Sequence, residues 1–334
     1  MKPIALVTGG TGFLGAHLVR GLVERGERVR VLSRGGGAEA QSLSELGVEV
    51  VQADVVRDFE GATPLARAVE GCATLYHLAG FVSRQADDGQ RMMRVHVDGT
   101  RRVLEAARAA GVRRVVLAST SGTIAVSSEP ELLDERAPYP TELVSGWPYY
   151  LSKIYQEKLA LDLCHTLGLE LVVVNPSLLL GPGDHRDSST GDVKKFLRRE
   201  IPVVPPGGMS FVDVRDAAQA TLSAMERGRP GERYLLGGPN WTVAEFFGRL
   251  ERVAKVRGPR LKLPKPFQLG AASFLEHAYA ALKKTPPVER ISVEMSHLFW
   301  YCDSSKAERE LGFVSRDPGE TLDETVRDLR RRMI

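Results

Sequence analysis

The stretch Val7-Thr8-Gly9-Gly10-Thr11-Gly12-Phe13-Leu14-Gly15 constrains this chain more than any other. Three glycines at spacing three, Gly9, Gly12 and Gly15, follow a short apolar run from Ile4 to Val7. They precede a helix-like pattern of Leu14, Leu18, Leu22 and Val23. A strand, a tight glycine turn and a helix N-terminus clamp a dinucleotide pyrophosphate, because free N–H groups and the helix dipole face the phosphates. Gly9 is expected to make the turn, Gly12 to admit the phosphates, and Gly15 to let the helix lie close to the sheet. A glycine-rich turn without a ligand is the bland alternative. The context decides between them.

Arg28 to Leu32 reads as a second strand and closes with Ser33-Arg34, followed by Gly35-Gly36-Gly37. A carboxylate about 20 residues beyond the glycines would bind the ribose hydroxyls of NAD, whereas an arginine suits the 2′-phosphate of NADP. Arg34 therefore predicts NADP, with NAD the alternative cofactor; a solvated loop arginine is the plainer reading. Residues 38–47 read as a helix and Val48 to Val51 as a strand ending at Ala53-Asp54. Asp54 could accept the adenine amino group or cap the next turn. A helix at Leu65–Val69 leads to a fourth strand, Ala73 to Leu78, which runs into Ala79-Gly80, small enough for close approach by a ribose. The polar loop 81–91 is placed at the substrate entrance.

Met92 to Ala110 reads as one long helix, and Arg113 to Ala118 as a fifth strand ending in the hydroxyl cluster Ser119-Thr120-Ser121. After a loop at 127–146 come a helix from Trp147 to Leu167 and a sixth strand, Leu169 to Val174, ending at Asn175-Pro176-Ser177. Apolar runs alternating with helices predict an α/β, Rossmann-type doubly wound parallel sheet covered on both faces. Regularity weakens beyond residue 176. Residues 193–199 read as a short helix, Phe211 to Asp216 as the opening of another, and Tyr234 to Leu236 as a strand. Thr242 and Glu245 form a capping-box pattern. Phe267 to Leu282 is apolar at helical periods but interrupted by Glu276 and His277, which suggests an amphipathic helix rather than a span. The expected division is a dinucleotide-binding domain over 1–176, with 211–236 returning to it, and a smaller substrate domain from 177–210 and 237–334.

Bulk properties exclude several classes. Among 334 residues, 45 basic and 42 acidic groups leave a net charge of only +3, which gives no reason to expect nucleic acid as a partner. Cys72, Cys164 and Cys302 are far apart and make no metal spacing, so they read as buried thiols in a reducing compartment. No apolar stretch approaches membrane length, and the N-terminal apolar run is too short for a signal peptide. A cytoplasmic location and no membrane span are expected.

Tyr149 and Lys153 carry the chemistry. Four residues apart on a helix, they share a face one turn apart. A nearby ammonium is expected to lower the phenol's pKa so that it exchanges a proton with an alcohol or ketone. A hydroxyl from Thr120 or Ser121, at the C-terminal end of the fifth strand, would donate to the same oxygen. An aromatic packed below a surface lysine is the alternative. Tyr150 and Tyr155 serve as internal comparisons; Tyr155 shares a stripe with Leu151, Leu159 and Leu163 and reads as core.

The segments TGGTGFLG, HLAG, GTRRVLEAA, AST, YYLSK, NPSLLLGPGD, FVDVRDAA and AERELGF together resemble an extended short-chain dehydrogenase/reductase of the NAD-dependent epimerase/dehydratase family. Within it the chain is most similar to the dihydroflavonol-4-reductase-like and hopanoid-associated sugar epimerase-like branch. The resemblance implies that Tyr149 is the proton donor or acceptor and that Lys153 binds the nicotinamide ribose. Thr120 is the implied active-site hydroxyl, with Ser121 selected by a one-residue slip. Thr11, Phe13 and Leu14 would line the phosphate clamp, Asp54 and Val55 the adenine, Leu78, Ala79 and Gly80 the ribose, and Pro176 and Ser177 the nicotinamide. The family usually has Asn where His96 stands here.

Three functions fit this sequence. One is a reductase passing hydride from NADPH to a ketone or aldehyde, with Tyr149 protonating the alkoxide. A second is an NAD-dependent sugar-nucleotide epimerase, whose diphosphate would want Arg186, Lys194, Arg198 and Arg199; these fit equally well on a solvated face. The third is a non-catalytic dinucleotide sensor. Ser121-Gly122 in place of an acid pair argues against a dehydratase. A small-molecule carbonyl or alcohol substrate is expected, and relatives suggest a homodimer through the helices on either side of the hydroxyl strand.

Overall fold

The computed structural model describes residues 3–333 apart from 36, 59–60, 62 and 282–289, so Gly36 and Leu282 lie outside the described residues. The first half alternates β1 (Ile4–Thr8), α1 (Phe13–Glu24), β2 (Arg28–Ser33), α2 (Ala38–Glu45), β3 (Glu49–Gln52), α3 (Leu65–Ala68) and β4 (Cys72–His77). Next come α4 (Gly89–Met93), a π-turn (Arg94–Asp98), α5 (Gly99–Ala109), β5 (Arg114–Ala118), α6 (Pro148–Leu167) and β6 (Glu170–Pro176). The second half contains β7 (Leu178–Leu180), α7 (Gly191–Leu197), β8 (Gly208–Asp213), α8 (Val214–Arg227), β9 (Arg233–Leu236), β10 (Asn240–Thr242) and α9 (Val243–Ala254). It closes with α10 (Lys265–Ala281), α11 (Arg290–Ser296), β11 (Phe299–Trp300), α12 (Ser305–Leu311) and α13 (Pro318–Met333).

Seven strands form one sheet in the order β3-β2-β1-β4-β5-β6-β9, and every neighbouring pair is parallel. The apolar runs are explained by burial on both faces. One face packs Val7, Val116 and Val174 against α1, α8 and α12; the other packs Leu6, Leu75 and Val173 against α3, α5 and α6. Strand order reverses between β1 and β4, and the crevice outside their C-terminal ends is where such sheets bind ligands. A second, four-stranded sheet joins β7, β8, β10 and β11, and its core includes Phe196, Phe211, Phe246 and Leu250.

Two local expectations are corrected. Phe211–Asp213 is strand rather than helix and belongs to the small sheet; the helix begins at Val214. Asp213 explains the change, because its buried carboxylate caps α8 by accepting the Arg215 N–H at 2.9 Å and also holds the Arg215 guanidinium. Tyr155 is not core: its side chain is 44% exposed, and α6 instead buries Ser152, Lys153, Gln156 and Glu157.

Candidate active site

Backbone geometry at the glycine loop follows from what a side chain would strike. Gly9 has φ +75°, and a Cβ there would lie 2.6 Å from the Leu78 carbonyl carbon. A Cβ on Gly15 would overlap the Gly9 carbonyl oxygen, so the helix sits against its own loop. At Gly12, the N-cap of α1, the nearest neighbour would be Gly9 O at 3.2 Å. Thr11 lies in the turn before it, and Phe13 and Leu14 begin a helix with no acidic residue in its first turn, leaving the positive end of the dipole uncompensated. Arg34 is exposed where β2 ends, beside a pocket of about 620 Å³ lined by Ser33, Gly35, Gly37 and Gln41.

The remaining cofactor candidates sit along the same strand ends. Asp54 accepts the Val56 N–H at 2.8 Å with one carboxylate oxygen, which makes it a turn cap, while its other oxygen stays available. Val55 packs beside Gly99. Leu78 and Ala79 are half-buried, and Ala79 N–H donates to Thr8 Oγ1 at 3.2 Å. Pro176 ends β6, and the buried Ser177 hydroxyl behind it has no hydrogen-bond partner. A nicotinamide dinucleotide fits this row on two observations: the side-chain-free cradle at Gly9–Gly15, and the orphaned Ser177 Oγ at the far end.

Lys153 is buried among acceptors. Its Nζ donates to Ala118 O at 3.0 Å and to Gln156 Oε1 at 2.8 Å, which spends two of its three donors. Gln156 continues to Thr100 Oγ1 at 2.8 Å, Thr100 to His77 Nε2 at 2.9 Å, and His77 Nδ1 to Thr8 Oγ1 at 2.7 Å. A buried polar chain therefore connects the ammonium with the strand that leads into the glycine loop. Burial pulls Lys153 down to about 8, opposed by the Glu157 carboxylate one turn on, and pushes His77 down to about 3. Both groups are held closer to neutrality than in water.

Tyr149 behaves differently from the sequence expectation. Burial pushes its phenol well above the ordinary value, with a further upward push from Tyr150. No lowering by Lys153 overcomes this, because that ammonium is itself desolvated and spends two donors on Ala118 and Gln156. Thr120 is half-buried at the end of β5, where its Oγ1 accepts the Gly122 N–H at 3.3 Å; Ser121 is buried in the following turn. Beneath them Glu157 Oε1 accepts from Ser119, from Thr123 Oγ1 at 2.6 Å and from Asn175 Nδ2 at 2.7 Å. Asn175 Nδ2 also donates to Thr120 O at 3.2 Å, so this carboxylate and its partners fix the hydroxyl strand end.

His96 lies in the π-turn and is fully buried. Its Nε2 accepts the Phe81 N–H at 3.0 Å, so Nδ1 carries the proton and donates to Ser152 Oγ at 2.8 Å. Ser152 in turn donates to Tyr149 O at 2.7 Å. The side chain that stands in for an asparagine thus ties the start of loop 81–91 to the turn carrying Tyr149. An extra residue in the helical turn is a recurrent mark of functional sites.

Sequence reasoning missed the walls. Tyr150 faces Trp300 with ring centroids 5.0 Å apart, and Trp147 stacks on Trp300 at 5.9 Å, next to Tyr149 at 5.1 Å from Tyr150. Gly122 leaves room for Tyr150, because a Cβ there would overlap that ring. Across the loop, Arg84 and Asp192 form a two-point ion pair at 3.2 and 2.8 Å that joins loop 81–91 to α7. The only sequence signal for these was an unused aromatic pair in YYLSK and a charged loop.

Residues 5–237 match the model of the NAD dependent epimerase/dehydratase family. A putative dihydroflavonol 4-reductase of Synechocystis sp. is 34% identical over 98% of this chain and 94% of that protein. Sterol demethylase protein B of Methylococcus capsulatus is also 34% identical, over 98% of each chain. Among solved structures, gox2253 superimposes with a TM-score of 0.83 at 30% identity, covering 99% of each chain.

Proposed function

The chain belongs to the NAD dependent epimerase/dehydratase family, an extended short-chain dehydrogenase/reductase, and on that premise we propose that it reduces a ketone or aldehyde with NADPH. The observation that carries this reading is the placement of Tyr149 one helical turn before Lys153, whose buried ammonium is fixed by Ala118 and Gln156. Reduction consumes one proton at the carbonyl oxygen, and a buried phenol one helical turn from an ammonium supplies it. The similarity to a putative dihydroflavonol 4-reductase supports the same direction.

The cofactor would be held by the N–H groups of the Gly9–Gly15 loop, by Arg34 at its 2′-phosphate, by Asp54 and Val55 at the adenine, and by Leu78, Ala79 and Gly80 at the ribose. Lys153, Pro176 and Ser177 would hold the nicotinamide end. When bound it supplies the hydride. Tyr149 then donates its O–H to the substrate oxygen, and the Thr120 hydroxyl donates a second hydrogen bond that steadies the developing charge. Lys153 balances the phenolate left behind and is fixed for this by Ala118 and Gln156. The substrate occupies the space between the large sheet and the smaller domain, against Tyr150 and Trp300. That wall is aromatic and uncharged, as a flat carbonyl compound requires.

The nucleotide-sugar reading is less well supported. Lys194 is in an ion pair with Asp187 at 2.5 Å and Arg198 is 4.0 Å from Glu200, so two of the cations proposed for a diphosphate already face carboxylates. Arg199 instead lines a separate small cavity with Phe196 and Arg257. Two copies pair through α5 and α6, where Tyr155 leaves an apolar ring in solvent; Tyr155→Glu should yield monomers in sedimentation velocity.

Tyr149→Phe tests the mechanism. NADPH-dependent carbonyl turnover should fall by about 10²–10⁴, with NADPH affinity unchanged; turnover that survives would exclude Tyr149 as the acid. For the cofactor, Arg34→Ala should weaken NADPH binding by about tenfold, as expected for loss of a charge-assisted phosphate contact, and leave NADH binding unaltered. Equal loss for both cofactors would remove Arg34 from the 2′-phosphate.

A further inference from the structure

We propose that α10 and the segment leading into it form a docking surface for an anionic lipid bilayer. The outward face of α10 has the reverse of the usual polarity. Phe267, Gly270, Ala271 and Phe274 follow one another at helical spacing and are all exposed, the two rings at 70% and 73%. The inward face carries Gln268 and Ala272, and Gln268 Nε2 spends itself on Leu263 O at 2.7 Å. A helix on a water-facing surface ordinarily turns its charged residues outward. Leu261 and Leu263, exposed just before the helix, extend the same apolar patch.

Charge identifies the occupant. From Arg252 to Leu275 the chain contains Arg252, Lys255, Arg257, Arg260, Lys262 and Lys265 and no aspartate or glutamate. All six cations are exposed, and Arg260 is paired with Glu251. Lys262 and Lys265 adjoin the apolar face directly, and a face of phenylalanines flanked by lysines lies in the headgroup region of an anionic membrane, with the rings below the phosphates. A second copy of this chain fits poorly, because a two-fold contact would set one basic run against the other. No helix among the described residues is long and apolar enough to cross a membrane, so the surface rests on the bilayer rather than spanning it. α11, on which α10 packs, also contributes Ile291 and Met295 to the cluster around Trp147, Tyr150 and Trp300.

The test is flotation of the full chain with vesicles of phosphatidylcholine alone and of phosphatidylcholine mixed with phosphatidylglycerol. Binding to the mixed vesicles is expected, weakened by added salt and reduced about fivefold by Lys262→Gln or by Lys265→Gln. Phe267→Ser with Phe274→Ser should reduce it by at least about tenfold, the loss expected when two buried rings are withdrawn from the bilayer. That double variant should keep the unfolding midpoint and the sedimentation coefficient of the parent. Absence of binding, or equal binding to both vesicle types, would overturn the proposal. So would conversion of a dimer to a monomer by the phenylalanine variant, which would make the occupant a second copy. None of these readouts uses turnover, so failure of the reductase reading would leave them standing.

Discussion

Helices α6 and α10 depart from ordinary amphipathic patterning in opposite directions. α6 hides Ser152, Lys153, Gln156 and Glu157 and leaves Tyr155 in solvent, whereas α10 shows Phe267 and Phe274 and hides Gln268. In α6 the buried polar groups find partners on other elements: Ala118 of β5, Thr100 of α5, Ser119 and Thr123 in the turn after β5, and Asn175 of β6. Among the described residues of α10 the exposed rings have no such partner, and the exposed Lys262 and Lys265 stand just ahead of them in the chain. Buried polarity with partners marks a site assembled for chemistry; exposed apolarity bordered by cations marks one assembled for contact. Stability should respond oppositely in the two places.

Lys153→Met is the sharpest way to break that contrast. Activity should fall by about 10²–10⁴, as for loss of an acid–base partner. Stability at pH 7 should nevertheless rise, because the buried ammonium is costly: its folded-state pKa of about 8 lies below the unfolded value. Between those two values the unfolded chain binds more protons, so wild-type stability rises with pH there. The advantage of the methionine variant, about 1–2 kcal/mol after the lost hydrogen bonds are counted, should shrink between pH 7 and 10 in urea unfolding. A constant gap would show that Lys153 does not titrate in that range.

His96→Ala comes next in size. It leaves the Phe81 N–H and the Ser152 hydroxyl without their partner, which should cost about 1–3 kcal/mol and lower kcat about tenfold by loosening the turn that carries Tyr149. His96→Asn should recover part of kcat. If alanine destabilises the fold but leaves kcat unchanged, His96 is structural only. Smallest is the change at α10: Phe274→Ser should move stability by no more than about 0.5 kcal/mol, as for an exposed position, and leave turnover of a water-soluble carbonyl unaltered. A large loss would place that ring in the folded core.

The sheet was legible because its signals are local. Apolar runs, the glycine spacing and the Tyr149–Lys153 interval each occupy a few neighbouring residues, and the parallel sheet follows from them. The polar chain from Lys153 to Thr8 was not legible, since its members come from four elements and only packing brings them together. Met92–Ala110 read as one helix because a π-turn has no strong composition of its own; yet that turn aims His96 at Phe81 and Ser152. Leu151, Tyr155, Leu159 and Leu163 looked like a core stripe because period alone does not say which face is covered. The same ambiguity concealed the outward rings of α10. Arg84 and Asp192, 108 residues apart, could be paired only by the fold.

Net redox change tests the central claim most directly. A panel of ketones, aldehydes and nucleotide sugars should be incubated with the enzyme and NADPH, following NADPH absorbance and product together. The account predicts NADPH oxidation in one-to-one proportion to alcohol formed from an apolar carbonyl compound, and none with nucleotide sugars. Isomerisation of a nucleotide sugar with no net change in the nicotinamide would contradict it.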